Sequence, residues 1–481
     1  MKKKKLKRLS KTRLFILLVN LLFTILFVSS FVSLHIIPIK FVFFLVFLLL
    51  LFNISILLLL KRKKIIFQIT GYLITIFLIL VETIGIYYID KTNQFLNQAF
   101  GQASESYTTT FYVLVKSTES SNRLEDYRDK KISFYLNTPY IEEAKAKLSE
   151  SISFEPVEVD DLYSLFNGLG SNEVSALLID QNYFDFVFDA IPNFKKEDYL
   201  FLHSFELTFQ VENTEVGEVG ESFNIYVGGN DFTGSLMDFN MILTVNMQKH
   251  QILMTSIPRD YYIPVNGMNG RKDTLSFMGA LGNGIETNRK SLEEFFGINL
   301  GYYIKINTKS LVSIVNEVGG IDYCSDISFW TTHAKILDSY DDTKGEKLYV
   351  KKGCQHLNGI ETLTVARERL AFPGGDRQRQ KNCQEIIKAI FKQLLSTNTI
   401  TNYNNILNSL SDLYQTNIPR EKITDLLYET INGANWQFQE QSVNGSDGQN
   451  YVRLTNILSY VMNPNMDTVN SAIVKIKEVL N

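Results

Sequence analysis

Three long apolar runs open the chain: Leu14–Leu34, Phe41–Leu60 and Ile65–Ile89. A helix needs about 20 apolar residues to cross the hydrocarbon of a bilayer, and each run reaches that length. A secretory signal would be one shorter run ending at a small-residue cleavage site. Three runs therefore predict three membrane-spanning helices. Cytoplasmic segments carry the excess of Lys and Arg. "MKKKKLKRLSKTR" holds eight basic residues and no acid, and "KRKK" fills Lys61–Lys64. Both are expected inside, so the short loop "HIIPIK" and everything after Ile89 are expected outside the cell. Glu82 is the one acid within the third run. An ionisable group at membrane depth is a functional candidate, and near the outer end of a span it would instead reach the headgroups.

Beyond the spans the pattern changes. "NQAFGQASESYTTT" reads as a short linker, placed at 91–110. Strand-like runs ("FYVLV", "KISFYL", "ALLID", "LFLHSFELTFQV") then alternate with helix-like ones ("YIEEAKAKLSES", "VDDLYSLFNGL"). This predicts a small α/β accessory domain over 111–215. "ENTEVGEVGES" has no apolar period and reads as a boundary. After it, "FNIYVGGND" is a strand running into a Gly turn, and "DFNMILTVNMQKHQILMTSIPRDYYIPV" is two strands joined by a polar turn. Mixed segments follow to the end, so 220–481 is expected to be a second α/β domain with helices flanking a mixed central sheet.

Charge narrows the function. Of 48 Lys and Arg, 13 precede Lys91, and of 51 Asp and Glu, two do. The remainder is 35 against 49, a net of −14, which argues against nucleic acid as a partner. In that acidic setting "ARERLAFPGGDRQRQKNCQE" crowds Arg367, Arg369, Arg377 and Arg379 together. Ile386, Ile387, Ile390, Phe391, Leu394 and Leu395 form a helical stripe that, extended backwards, passes through Cys383, Arg379 and Asp376. Arg379 is thus expected to point inward, and Arg377 and Lys381 outward. A buried guanidinium needs a partner. Asp376 would serve as that partner or simply as a helix cap. "TLTVARERL" is rich in β-branched residues and reads as extended, which puts Arg367 and Arg369 on one face and Glu368 on the other.

The hairpin supplies further candidates. With Gln248 and Lys249 at its tip, paired positions sum to 497, and Asp238 falls opposite Arg259. Taken alone, that is an ordinary cross-strand ion pair. Taken with the arginine cluster it suggests polyphosphate chemistry, because guanidinium grips phosphate oxygens bidentately and an aspartate pair can hold Mg²⁺ against them. No Gly-Lys-Ser/Thr phosphate loop is present, the five histidines lack metal-ligand spacing, and no Ser-His catalytic pattern stands out. An exported location permits disulfides. Cys324 and Cys354 would pair if their strands are neighbours, leaving Cys383 unpaired.

The order of spans, accessory domain, "TSIPRDYYIPV", "LNGIETLTVARER" and "GGDRQRQKN" resembles the LytR-CpsA-Psr family, most of all its streptococcal CpsA-type capsule proteins. The resemblance implies a membrane-anchored phosphotransferase that moves capsular or other wall glycopolymer from a polyprenyl-pyrophosphate carrier to peptidoglycan. It implies that Arg259, Arg367, Arg369 and Arg379 grip the pyrophosphate and that Asp238 and Asp376 hold Mg²⁺. Asp238 is also a candidate for helping to deprotonate the attacking hydroxyl. Ile386 and Ile390 would line an apolar groove for the lipid.

Two positions depart from that pattern. Leu236 stands where the family usually has Arg, and Cys383 where it usually has Gln. A donor aimed at developing charge is worth roughly 2.7–4 kcal/mol, so the alternative reading is a binding or regulatory protein for lipid-linked polysaccharide with weakened turnover.

Overall fold

The computed structural model describes residues 10–100, 106–210, 222–230, 236–337, 345–394 and 414–481, apart from isolated positions within them. The chain divides into two compact units. One holds residues 1–102 with 419–436, the other 103–418 with 437–481.

The first unit contains the three apolar helices, Lys11–Ser33, Ile39–Leu60 and Ile65–Phe100. Leu49, Ile56, Leu60 and Leu78 are buried between them, and aromatic side chains such as Phe15, Phe43 and Phe77 face outward. Glu82 is not at the rim. It is fully buried inside the bundle, where Thr24 Oγ1 donates to its Oε1 at 2.7 Å. Asn53 Nδ2 donates to Thr24 Oγ1 at 3.3 Å, and Asn20 Nδ2 to Asn53 Oδ1 at 2.8 Å, so polar groups from all three helices meet. An acid left in hydrocarbon is costly, and local partners from neighbouring helices reduce that cost. A helix from much later in the chain, Arg420–Asn432, belongs to this unit. Arg420 Nη2 donates to Asn93 Oδ1 at 2.6 Å, and Lys40 Nζ to the carbonyl of Asn432 at 3.0 Å. Residues 419–436 thus depart from the expected grouping of 220–481.

The linker expected at 91–110 is shorter. The third helix continues to Phe100 and a strand begins at Ser106, and the intervening 101–105 lie outside the described residues, as do the boundary positions 211–221. The accessory sheet has five strands in the order Glu155–Val159, Lys131–Tyr135, Ala176–Asp180, Ser106–Lys116, Tyr199–Gln210. The strand Glu155–Val159 and the helix Gln181–Ala190 were not anticipated. Asp180 caps that helix by accepting from the Asn182 N–H at 2.8 Å. Phe186 packs edge-on against Phe277 at 5.4 Å, and one continuous core joins the accessory sheet to the larger sheet beyond.

That larger sheet has six strands in the order Tyr414–Thr416, Tyr302–Ile306, Ser222–Asn230, Met237–Asn246, Gln251–Ile257, Gln437–Ser442. It mixes parallel and antiparallel pairs. Its hairpin pairs Asn246 with Gln251 through to Asn240 with Ile257, the register expected from the two-residue tip. Gly228 and Gly229 do not form a turn; the strand Ser222–Asn230 continues through them, with a register shift after Gly229. A Cβ on Gly228 would lie 2.5 Å from Ile285 Cδ1, and one on Gly229 would lie 2.9 Å from Phe239 Cβ, so bare backbone is what fits.

"TLTVAR" is also different from expectation. Gly359–Arg367 is a helix, opened by a capping box between Asn358 and Glu361. The reciprocal cap satisfies two otherwise orphaned groups, and Thr362 and Thr364 turn their hydroxyls back to carbonyls four residues earlier. Cap and packing outweigh β-branched preference, which is only a weak prior. Strands Ile321–Ser325 and Gly353–Leu357 are neighbours with Cys324 opposite Cys354, and a disulfide joins the two; Cys383 is free and buried.

Candidate active site

Three segments meet at a cavity of about 530 Å³ in the second unit. The first is the open end of the hairpin. Its register carries Asp238 and Arg259 past the last ladder pair and into contact, with Arg259 Nη1 on Asp238 Oδ1 at 2.6 Å. The second is the helix Asp376–Leu394. Arg379 lies one turn in, so its guanidinium reaches back to Asp376 Oδ1 through Nη2 at 2.6 Å and Nε at 2.7 Å. Gln380 Nε2 holds the other oxygen, Oδ2, at 2.8 Å.

The third segment is the end of the Gly359–Arg367 helix. The chain leaves it at Glu368 in an extended conformation, and Arg367 and Arg369 both line the cavity. Glu368 turns away and is fully buried. It accepts from the Thr332 N–H at 2.5 Å and the Ala371 N–H at 2.8 Å. Those bonds anchor the turn that presents the two arginines. Arg367 Nη1 also donates to the Ile336 carbonyl at 3.1 Å.

All of the anticipated arginines and both aspartates therefore sit in one neighbourhood. Arg377 is exposed, with Lys381, on the far side of the helix. Of the two isoleucines expected to touch lipid, Ile386 lines the cavity and Ile390 does not; Ile387 takes that place. Ile390 packs into the core beneath the helix instead. The helix is steered by more than its apolar stripe, because Asn382 and Gln384 are buried too. Gln384 donates to the carbonyls of Gln441 at 3.0 Å and Met254 at 3.4 Å, away from the cavity. Leu236 and Cys383 both line the cavity wall. Phe239, Ile306, Leu311 and Leu363 give the same cavity an apolar part to its lining.

The residue not anticipated is Asp260. Its Oδ1 lies 3.6 Å from Arg259 Nε, so Arg259 stands between two carboxylates. The adjacent letters "RD" were the available signal. Burial pushes the Asp260 carboxyl above its ordinary value, against the pull of Arg259. Asp376 goes the other way: burial opposes its charge, but Arg379 outweighs burial and holds it below the usual carboxylate range. Burial works against the charges on Arg259 and Arg379 as well. Their aspartates more than compensate, and both guanidinium groups are held more firmly protonated than usual. Arg369 is shifted downward, by burial first and then by repulsion from Arg259 and Arg379. Three guanidinium groups that feel one another at close range form a site for an anion.

A model of the LytR_cpsA_psr family matches residues 196–473, more than half of the chain. The chain belongs to the LytR-CpsA-Psr family. Among curated family relatives, a protein named polyisoprenyl-teichoic acid–peptidoglycan teichoic acid transferase TagU from Bacillus cereus is 28% identical over 189 residues, 39% of this chain and 57% of its own length. The chain thus spans little more than half of that relative. TagU from Enterococcus faecalis is 30% identical over 220 residues, 45% of this chain and 67% of its own. Solved structures with a similar fold include Bacillus subtilis TagV, at 24% identity and TM-score 0.44 over 54% of this chain and 97% of its own. Protein gbs0355 of Streptococcus agalactiae gives 26% and 0.46 over 55% and 89%. The family match begins at Lys196, ahead of the last accessory strand, and so overlaps the expected accessory domain.

Proposed function

We propose that this protein is a membrane-anchored phosphotransferase. It takes a capsular or related wall glycopolymer from a polyprenyl-pyrophosphate carrier and joins it to peptidoglycan outside the cell, with the N-terminal arm in the cytoplasm. One observation carries the reading: four arginines and a set of apolar side chains line the same cavity. That is the chemistry of a ligand with a charged diphosphate head and a hydrocarbon tail.

The four arginines grip the diphosphate oxygens, and Ile386, Ile387, Leu363 and Leu311 receive the first prenyl units. An acceptor hydroxyl oxygen attacks the phosphorus that carries the polymer. A new O–P bond forms, the P–O bond to the carrier's other phosphate breaks, and polyprenyl phosphate leaves with the bridging oxygen. The hydroxyl proton passes to a carboxylate at the mouth. Asp260 is assigned that role because burial raises its carboxyl, which favours proton uptake, and because it lies 3.6 Å from Arg259 Nε whereas Asp238 holds Arg259 Nη1 at 2.6 Å. Positioning and arginine charge supply most of the acceleration, as in phosphoryl transfer generally.

Mg²⁺ fits the donor set. Asp238 and Asp376 offer hard carboxylate oxygens, and no cluster of three acidic, His or Cys side chains among the described residues would cage an ion alone. Mg²⁺ is commonly held by one or two carboxylates together with substrate phosphate. When bound, it would neutralise diphosphate charge.

A second reading, a binding or regulatory protein for the same lipid-linked polysaccharide, is favoured by Leu236 and Cys383. Neither can donate the strong hydrogen bonds of an arginine or an amide to phosphate. The full chain in detergent micelles, with a polyprenyl-pyrophosphate-linked oligosaccharide, glycan strands and MgCl2, separates the two. Release of polyprenyl phosphate with a phosphodiester on the acceptor is expected. Tight binding of the lipid with no release would leave only the second reading.

A further inference from the structure

The hairpin Gly445–Val452/Ile457–Pro464 is a two-stranded ribbon that pairs with no other named strand. Its register sets Asp447 opposite Met462, Gln449 opposite Tyr460, and Tyr451 opposite Leu458. Side chains alternate along a strand, so Asp447, Gln449, Tyr451, Leu458 and Tyr460 share one face. Tyr451 is 60% exposed, Leu458 50% and Tyr460 47%. Three large apolar side chains side by side in water mark an interaction surface more often than chance decoration.

The ribbon is also tied to the candidate active site. The Met462 N–H donates to the carbonyl of Asp260 at 2.7 Å. Arg377 Nη2 donates to the Gly445 carbonyl at 3.3 Å, and the Tyr262 hydroxyl to that of Tyr451 at 3.3 Å. Tyr460 lies two residues before Met462, roughly 7 Å along the strand, and its hydroxyl senses both Asp260 and Arg377. The exposed face therefore leads to the carboxylate proposed above as the proton acceptor.

We infer that this ribbon face binds the acceptor glycan strand and delivers its hydroxyl to Asp260. The inference rests on the phosphotransferase reading and deepens it. Flat aromatic rings bury the C–H faces of sugar rings at little conformational cost. Asp447 and Gln449 offer oxygens and an amide to sugar hydroxyls, with Asp447 already positioned by the Tyr460 hydroxyl at 2.8 Å. Charge decides between donor and acceptor. Asp447 and Asp260 would repel a polymer rich in phosphate or carboxylate, whereas the sugar backbone of a peptidoglycan strand is uncharged while its lactyl carboxyls are held as amides. The donor's head is accounted for by the arginines that line the cavity.

The test compares the full chain with Y451A/Y460A and with Tyr460→Phe. Two ligands are used: soluble peptidoglycan glycan strands freed of peptides by an amidase and with the exposed lactyl carboxylates capped as methylamides, and a short prenyl pyrophosphate with Mg²⁺. The double variant is expected to bind glycan strands at least ten-fold more weakly and to raise the acceptor KM by a similar factor. Its prenyl pyrophosphate affinity should be unchanged, and Tyr460→Phe should retain most of the glycan binding. Should the double variant lose its melting transition, the largely exposed single change Tyr451→Ser carries the same comparison. Unchanged glycan affinity in a folded variant overturns the inference, and so does weakened binding of the anionic donor polymer in place of the glycan. Glycan binding that depends on the tyrosines, in a protein that never releases polyprenyl phosphate, would support the ribbon and overturn the phosphotransferase reading. Turnover with an unaltered acceptor KM would do the reverse.

Discussion

Arg259 Nη1 lies 2.6 Å from Asp238 Oδ1, and the pair closes the open end of the hairpin at the cavity mouth. The same guanidinium faces Asp260 through Nε. One cation thus serves two carboxylates and is also offered to a phosphate, so it is the group whose loss should be felt by both fold and ligand.

Replacing Arg259 by Ala removes that shared counter-charge. Truncating one partner of a buried charged pair costs about 2–5 kcal/mol, and the partly open mouth places this site at the lower end. A lowered melting temperature is expected, together with a prenyl pyrophosphate Kd raised by about ten-fold or more. Titration calorimetry against the melting curve checks both; an unchanged Kd would remove Arg259 from the diphosphate grip.

Asp260 and Asp376 are shifted in opposite directions, so they answer pH with opposite sign. The depressed Asp376 stabilises the fold above its unfolded value and loses that contribution as pH falls through its folded value. The raised Asp260 prefers its proton in the fold, so its ionisation opposes folding as pH rises through and beyond the ordinary carboxylate value. For catalysis, the rate should rise with pH through an apparent value above the usual carboxylate range. Asp260→Asn should lower kcat by about 10²–10⁴, abolish that acid limb and spare prenyl pyrophosphate affinity. A surviving limb in the variant would return the role to Asp238.

Cys383 is buried in the cavity wall, and burial pushes its thiol up to about 11, so it is neutral and a poor hydrogen-bond donor at neutral pH. Its Sγ lies 3.5 Å from the Ala366 carbonyl. Cys383→Gln places an amide one turn beyond Arg379, facing the cavity. Turnover is expected to rise by about ten-fold, within the range that a single well-aimed donor supplies. Initial rates of polyprenyl phosphate release measure it. A rate no higher than that of the unaltered chain would count against the weakened-site argument.

Ile387 lines the apolar interior. Each methylene buried from water contributes about 0.8 kcal/mol, so affinity should climb as prenyl pyrophosphates lengthen, until the cavity is filled. Ile387→Asp should flatten that climb while leaving inorganic pyrophosphate binding in place. A climb of unaltered slope would show that the tail lies elsewhere.

Much of this site was legible in the chain. A two-residue tip sets a hairpin's register, so Asp238 opposite Arg259 followed from counting alone. The apolar stripe of the Asp376–Leu394 helix, read backwards, oriented Arg379 inward and Arg377 outward. Other parts were misread because they depend on neighbours distant in sequence. "TLTVAR" favours strand locally but is held as helix by the Asn358–Glu361 cap and by the core it enters. Ile387 lines the cavity and Ile390 does not, because Ile390 packs against a core built from segments distant in sequence.

By itself the sequence determined what depends on short-range period and charge: three spans long enough for a bilayer, a strand register, and the inward side of one helix. The tertiary structure alone decided which charges share a space. It put Asp260 against Arg259, sank Glu82 among Thr24, Asn20 and Asn53, and carried the tyrosine ribbon up to the site through the bond from Met462 to Asp260. Period is a property of neighbouring residues, whereas burial and electrostatic partnership arise between segments brought together only by folding.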